Sequence, residues 1–386
     1  MTAQAGYKPG TVTVKLKGRG AASRLLATQL GLAPPLGQLA VASVPEGKSS
    51  EEYSSELETF EGVEYAEPNY LVRLLARTSD PLVPSKTDIV GGIDVRDSPV
   101  VPQSQYYLSL TRALEAWDIR TDASGVKACI IDTGVDFDHP DLLENVSPVG
   151  YDAAEYSPDG SVTDEFGHGT LVAGIVGAVG NNSMFGAGIA WRVQLLSCKI
   201  FPNGSELADV QSAQRCLRWC IDQGAQVSCN SWGLLQASPP SRSLHDTIAA
   251  ANAAGHIAVF AAGNDNVDLD TSAATDPEGL TLGADSNFGG QTVTIAAPGV
   301  DILSTAPGGE MALGTGTSFA APQAAGALAL LLAEAEAKAS APTAGGDLVN
   351  AMERTPGPTA MGDDYSPSQA ASAPRQDSPP QDVTGL

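Results

Sequence analysis

Asp132 closes the apolar run ACIID, His168 opens HGTLVAGIVGAV, and Ser318 opens the long apolar stretch FAAPQAAGALALLLA. A serine hydroxyl turns nucleophilic when an imidazole takes its proton, and the imidazole needs a carboxylate to hold its tautomer and stabilise its cation. These residue types point to attack on a scissile carbonyl, with His168 accepting the Ser318 proton and returning it to the leaving amine. A helix N-terminus adds backbone N–H groups and a positive dipole end for the oxyanion. Asn264, after VFAAG, is the candidate side-chain donor beside the Ser318 N–H. Taken singly, each residue has a plainer reading. Asp132 would be a turn residue before Gly134, His168 a polar helix start, Asn264 a turn residue after Gly263, and Ser318 an N-cap with Pro322 tolerated in the first turn. Together, with glycines crowding each position, they favour catalysis.

Such side chains meet only if the elements carrying them share an edge. From residue 104 onward the strand candidates GVKACIIDTG, VQLLSCKIF, AQVSCNSWG and HIAVFAAGN alternate with helices. ELADVQSAQRCLRWCIDQG and SRSLHDTIAAANAAG are amphipathic and end at glycines, and Val172, Ile175, Val176 and Val179 form the buried stripe of the helix that His168 opens. This alternation predicts an α/β fold, a parallel sheet with helices on both faces, whose site lies at the carboxyl edge. Residues 11–75 alternate on a smaller scale: TVTVKLKG, LAVASVP and VEYAEPNYLVRLLA read as strands, AASRLLATQLGL and the capped SSEEYSSELETF as helices, which makes a small α+β unit. Residues 76–103 read as a linker, 104–361 as the main domain, and 362–386 as a tail too polar and Pro-rich to fold. No internal repeat stands out.

The 386 residues are 42% hydrophobic with 41 glycines and 26 prolines, as in a compact protein with many turns. Lys+Arg 21 against Asp+Glu 45 gives −24, which repels nucleic acid and anionic membrane surfaces. GALALLLAEAEA turns charged too early for a membrane span. The start MTAQAGYKPGTVTVKLKG lacks the apolar core of a secretory signal, so the protein stays inside or its leader is missing. The five cysteines, Cys129, Cys198, Cys216, Cys220 and Cys229, are odd in number and several sit in apolar strand-like runs, which reads as buried free thiols. Cys216 and Cys220 share a helix face, a weak metal signal. Glycosylation triplets begin at Asn145, Asn181 and Asn203, but such triplets are frequent by chance.

The segments IIDTGVDFDHPDL, GHGTLVAG, AAGN, APG and GTSFAAP, in the chain order Asp, His, Ser, resemble those of subtilisin-type serine proteases over about residues 104–361. The resemblance implies a subtilisin-like fold and a serine endopeptidase acting on protein or peptide substrates as a monomer, in a secreted or endomembrane-lumen setting. Residues 11–75, ending VEYAEPNY, resemble the family's ferredoxin-like propeptide, with a βαββαβ-like pattern. That implies a self-processing zymogen whose own propeptide is a partner, assisting folding and inhibiting until cleaved. By the same resemblance a substrate strand adds between two edges, Ser231, Trp232 and Gly233 on one side and Asn203, Gly204 and Ser205 on the other. No cofactor is implied for the chemistry. Structural calcium is implied at Gln105, Asp141 and Asn182, joined by carbonyls near Val179, Met184 and Gly186, although bulky Met184 and Phe185 depart from the usual small residues.

Other chemistries fit less well. Asp132-Thr133-Gly134 is how an aspartic protease loop begins, but no second such triplet exists to share the proton. Asp136, Asp138, His139 and Asp141 offer metal ligands, although a solvated acidic turn is the commoner fate of such a run. A pseudoenzyme that only binds a partner is opposed by four intact catalytic positions. Three departures from the family remain: Leu171 in place of a second His, Gln323 in place of the His common after GTSxAxP, and a short segment between Asn264 and Ser318. There LTLGA and SNFG are joined directly by Asp285, which predicts a missing hairpin and a shallower pocket for the residue before the cut.

Overall fold

The computed structural model describes residues 6–18, 20–32, 38–74, 105–155, 162–235, 240–270 and 286–340. The expected linker and tail lie outside them, as do residues 271–285 with the expected hairpin loss.

The N-terminal unit runs β1 (Tyr7–Leu16), α1 (Ala21–Gln29), β2 (Leu39–Ser43), α2 (Ser50–Leu57) and β3 (Val63–Leu74). Its three described strands form an antiparallel sheet in the order β2-β1-β3, one strand fewer than a βαββαβ pattern. Ser49 and Glu52 start α2 with a capping box: Ser49 Oγ accepts from the Glu52 N–H at 3.1 Å, and the Glu52 carboxylate accepts from the Ser49 N–H at 2.8 Å. Val12, Val14, Leu16, Ala27, Leu57 and Val63 fill the small core beneath.

The larger region follows with α3 (Tyr107–Leu110), α4 (Ala113–Trp117), β4 (Asp122–Asp132), β5 (Val146–Asp152), α5 (His168–Gly177), β6 (Arg192–Lys199), β7 (Leu207–Asp209) and α6 (Val210–Asp222). It continues with β8 (Val227–Asn230), β9 (Trp232–Leu234), α7 (Arg242–Ala253), β10 (Ile257–Phe260), β11 (Ile302–Ala306), β12 (Glu310–Gly314) and α8 (Thr317–Ser340). The central sheet is parallel, in the order β10-β8-β4-β6-β5.

Alternation along the strands builds two cores. Ala128, Ile130, Val193 and Leu195 face Val172, Ile175 and Val176 of α5 and Ala321, Ala325 and Ala329 of α8. Cys129, Ile131, Leu196 and Cys198 face Ala213, Leu217, Leu244 and Ile248 of α6 and α7. By length and composition alone, Thr317–Ala339 could cross a membrane, contrary to the expectation of no such run, but 61% of its most apolar window is buried inside the fold. Burial against protein accounts for its apolarity.

The expectation of free thiols is overturned for four cysteines. Cys129 pairs with Cys220 and Cys198 with Cys216, at Cα separations of 6.0 and 5.7 Å. Odd-numbered Cys129 and even-numbered Cys198 point to the same side of neighbouring strands, and the i, i+4 pair on α6 meets them there. Only Cys229 is free, and burial pushes its thiol up to about 12, away from reactivity.

One strand ties the two regions together. The end of β3 pairs antiparallel with both β7 and β9, and the described residues up to Glu336 belong to one compact unit.

Candidate active site

Asp132 is the last residue of β4 and fully buried. Its Oδ1 accepts from the Thr133 N–H at 2.7 Å and from His168 Nδ1 at 2.7 Å. A carboxylate can only accept, so Nδ1 carries the hydrogen and Nε2 is the ring's outward nitrogen. His168 reaches this position because α5 comes very close to the turn after β4. A Cβ on Gly169 would lie 2.1 Å from the Gly134 carbonyl, and Gly134 itself has φ +117° with the Val162 carbonyl 2.5 Å from where its Cβ would be.

Asp164, which sequence reasoning missed, locks the two elements together. Its carboxylate accepts from Thr133 Oγ1 at 2.8 Å, from the Phe166, Gly167 and Thr170 N–H groups at 3.1, 2.7 and 2.8 Å, and from Thr170 Oγ1 at 2.7 Å. Thr133 Oγ1 in turn accepts from the Gly169 N–H at 2.9 Å. An acidic residue four before a helix-opening His, with Thr two after it, was the available signal for an N-terminal cap. Lys199, buried beside Asp132 on β6, donates through Nζ to the Thr133 carbonyl. His168 Nε2 and Asp132 Oδ2 are buried with no hydrogen-bond partner.

Ser318 lies in the first turn of α8 and is fully buried. Its Oγ donates to the Ser231 carbonyl at 3.0 Å, and Ser231 Oγ donates back to the Ser318 carbonyl at 2.9 Å. The hydroxyl is therefore turned to Ser231, and no bond joins it to His168. The next residue, Phe319, packs its ring 5.3 Å from the imidazole, which places the start of α8 beside His168. Asn264 Oδ1 accepts from the Thr317 N–H at 2.9 Å, and Thr317 Oγ1 accepts from the Gly263 N–H at 3.1 Å. Both bonds hold the Asn264 turn against the α8 start. Gln323 donates from Nε2 to the Pro298 and Phe319 carbonyls at 2.6 and 2.8 Å, a tie between the APG loop and α8 that needs only a ring or amide N–H.

The proposed edges carry a strand in this structure. Val72, Arg73 and Leu74 pair with Leu234, Gly233 and Trp232, while Leu71, Val72 and Arg73 pair with Asp209, Ala208 and Leu207. Trp232 contributes backbone to this edge. Its ring is buried, with Nε1 donating to the Ile131 carbonyl at 3.0 Å. Asn203, Gly204 and Ser205 form the turn just before the opposite edge: the Ser205 N–H returns to the Pro202 carbonyl and Ser205 Oγ donates to the Leu207 carbonyl at 2.8 Å. The strand contacts begin after them, at Glu206, whose carbonyl accepts from the Leu74 N–H at 3.4 Å.

Gln105, Asp141 and Asn182 do converge on one loop, but their oxygens serve N–H groups. Asp141 accepts from Asn182 Nδ2 at 2.6 Å and from the Gly186 N–H at 3.2 Å, Asn182 Oδ1 from Met184, and Gln105 Oε1 from the Ala187 N–H at 2.9 Å. Without a ligand, these side chains close the loop by hydrogen bonds among themselves and with its backbone N–H groups. His139 uses both ring nitrogens on backbone partners, the Glu310 carbonyl and the Asp141 N–H, so the acidic run around it is a folded turn.

Residues 123–363 match the subtilase family and residues 2–69 match the fervidolysin N-terminal prodomain. The thermophilic serine proteinase of Bacillus sp. (strain AK1) is 34% identical over 284 residues, 70% of this chain and 64% of that protein. Thermitase of Thermoactinomyces vulgaris is 32% identical over 246 residues, 62% of this chain and 85% of its own. Among solved structures, fervidolysin from Fervidobacterium pennivorans, a keratinolytic enzyme related to subtilisin, superposes with TM-score 0.63 at 21% identity, covering 86% of this chain and 56% of that one. The epidermin leader peptide processing serine protease of Staphylococcus aureus gives 0.64 at 20%, covering 86% and 90%. The chain thus spans somewhat under two thirds of the first relative's length. With a match over more than half its residues, and with the Asp–His pair and the helix-borne serine at one sheet edge, the chain belongs to the subtilase family.

Proposed function

We propose that the chain is a serine endopeptidase made as a self-processing zymogen. Ser318 Oγ leaves the Ser231 carbonyl, gives its proton to His168 Nε2 and bonds to the scissile carbonyl carbon. Asp132 keeps Nδ1–H in place and stabilises the imidazolium. The oxyanion is held by the Ser318 N–H and by Asn264, whose carboxamide is anchored through its oxygen so that the amide end addresses the oxyanion. Collapse breaks the C–N bond, and the amine takes the proton from Nε2. Water then repeats the cycle on the acyl-enzyme. The open bond between Ser318 and His168 is compatible with this reading, since catalytic hydrogen bonds often tighten only with substrate in place.

The observation that carries the proposal is the course of β3. The chain's own strand lies between the two edges, as a peptide substrate would, and its last described residue pairs with Trp232, next to the Ser231 that touches Ser318. In a strand of this register, the residue after the one facing Trp232 faces Ser231, which is the position we assign to the bond cut. Purified wild-type chain and Ser318→Ala, followed by intact mass and N-terminal sequencing, test it. The wild type is expected to acquire a new N-terminus within a few residues after Leu74, while Ser318→Ala stays full length with the N-terminal unit attached. Maturation of isolated Ser318→Ala at the wild-type rate would remove Ser318 from the mechanism.

A further inference from the structure

Arg73 is held by backbone pairing with Gly233 on one side and Leu207 on the other. From that position its guanidinium Nη2 donates to both carboxylate oxygens of Asp265, at 2.7 and 2.6 Å. Asp265 directly follows Asn264, and its turn is fixed without help from Arg73. Asn287 Oδ1 accepts from the Asp265 and Val267 N–H groups at 3.0 Å each, and Asn287 Nδ2 donates to the Ala262 carbonyl at 2.8 Å. The carboxylate thus stands ready beside the strand path whether or not this arginine occupies it. The side chains of Arg73 and Asp265 are 32% and 22% exposed, so water screens the pair only in part. Lys8 and Lys15 of the same unit pair instead with Asp209 and Asp246, away from this position.

We propose that Asp265 is a subsite that selects a basic side chain, arginine or lysine, on the residue of a bound strand that pairs with Gly233. This rests on the peptidase reading above. The register fixes the position. Arg73 faces Gly233 and Leu74 faces Trp232, so the next residue of a strand in this register faces Ser231, whose carbonyl holds the Ser318 hydroxyl. The selected residue is the third counted back from the bond cut. The N-terminal unit satisfies the same subsite with Arg73, which makes its strand a better-fitting occupant than a neutral peptide.

Four internally quenched peptides of the form Leu-Val-Xaa-Leu-Leu-Ala, with Xaa as Arg, Lys, Gln or Glu, test this on the self-processed full chain. Arg and Lys are expected to exceed Gln in kcat/KM by about five- to tenfold, and Glu by more, with the preference shrinking at high salt. Asp265→Asn should bring the Arg peptide down toward the Gln peptide, and Asp265→Lys should favour Glu. Ser318-dependent cleavage with no preference across the wild-type series overturns the subsite and leaves the peptidase reading standing. Cleavage of no peptide, or equal cleavage by Ser318→Ala, overturns the peptidase reading and the subsite with it. The wild-type series needs no variant to fold.

Discussion

The N-terminal unit and the domain it docks on are held in different ways. The larger domain has an apolar core on each face of its sheet, and two disulfides fasten β4 and β6 to α6. The N-terminal unit has one small core. The end of β3 sends Val72 and Leu74 into the larger domain's apolar cluster, and the rest of the joint is polar. Glu67 receives Ser241 Oγ at 2.8 Å and the Arg242 and Ser243 N–H groups at 3.0 and 2.9 Å, at the start of α7. Asn69 receives the Gln211 N–H at 3.3 Å at the start of α6, and two lysine–aspartate bridges flank these contacts. Apolar burial and covalent bonds make a permanent body. Charged and hydrogen-bonded contacts can be exchanged for water at modest cost, which suits a part that must leave.

Removing the disulfides should produce the largest effect, confined to one side of this comparison. The Cys198–Cys216 bond closes a separation of 18 residues and Cys129–Cys220 one of 91, so loop entropy assigns them about 3 and about 4–5 kcal/mol. All four tryptophans, Trp117, Trp191, Trp219 and Trp232, lie in the larger domain, so their fluorescence reports on that domain alone. In a Ser318→Ala background, the Cys129→Ala/Cys220→Ala pair should lower the denaturant midpoint read by fluorescence more than Cys198→Ala/Cys216→Ala. Equal or negligible losses would mean the staples add little beyond the two apolar cores.

Next in size is Glu67, whose carboxylate caps α7 from across the interface. Glu67→Ala strips three hydrogen bonds and a charge at a helix N-terminus, and should weaken retention of the cleaved N-terminal unit by about tenfold to a hundredfold. Glu67→Gln, which keeps an acceptor but no charge, should fall between. The readout is the concentration at which the processed complex separates on size-exclusion chromatography. If both variants hold as tightly as the wild type, the polar contacts are incidental and the β3 strand pairing alone secures the unit.

Much of this arrangement was legible in the sequence, for a physical reason: Asp132, His168 and Ser318 each sit at a strand end or helix start, Asn264 follows a strand end by four residues, and hydrophobic periodicity marks those ends. The parallel sheet followed from the same alternation. What was not legible depends on partners far along the chain. Asp164 carries no reading from the sequence until Thr133, 31 residues earlier, is seen donating to it. The cysteines read as thiols because pairing depends on which face of two strands meets α6. The second substrate edge was placed at Asn203–Ser205, but the chain turns there and extends only from Leu207, a three-residue strand too short for alternation to reveal.

The smallest single effects, and the ones that act together, belong to the lysine–aspartate bridges. Burial is the strongest single influence on the Asp209 carboxyl and raises it, but the Lys8 ammonium at 2.7 Å, with Asn69 and the Ser212 N–H, together hold the group below the usual carboxylate range. Asp246 behaves likewise: burial raises it, and Lys15 at 2.7 Å and the Tyr65 hydroxyl at 2.5 Å lower it further than burial lifts it. Lys15 is raised in return, chiefly by its hydrogen bond to Asp246. A carboxylate depressed in the complex strengthens docking at any pH above its free value near 4, and that contribution is lost as pH falls through the bound value. A raised lysine contributes below its ordinary value of about 10.5 and loses the contribution as pH climbs past it. Docking should therefore be level across neutral pH and weaken in acid below about pH 4 and again in strong alkali. The Lys15–Asp246 bridge is partly exposed, and buried Asp209 keeps its Ser212 and Asn69 partners when Lys8 is lost, so Lys8→Met or Asp246→Asn should cost only about 1 kcal/mol at neutral pH, a few-fold in dissociation constant. The sharper readout is the shape of the profile. Both variants should flatten the acid limb of the complex's dissociation constant, and a limb unchanged in the double variant Lys8→Met/Asp246→Asn would assign the acid sensitivity to Glu67 and the α7 cap instead.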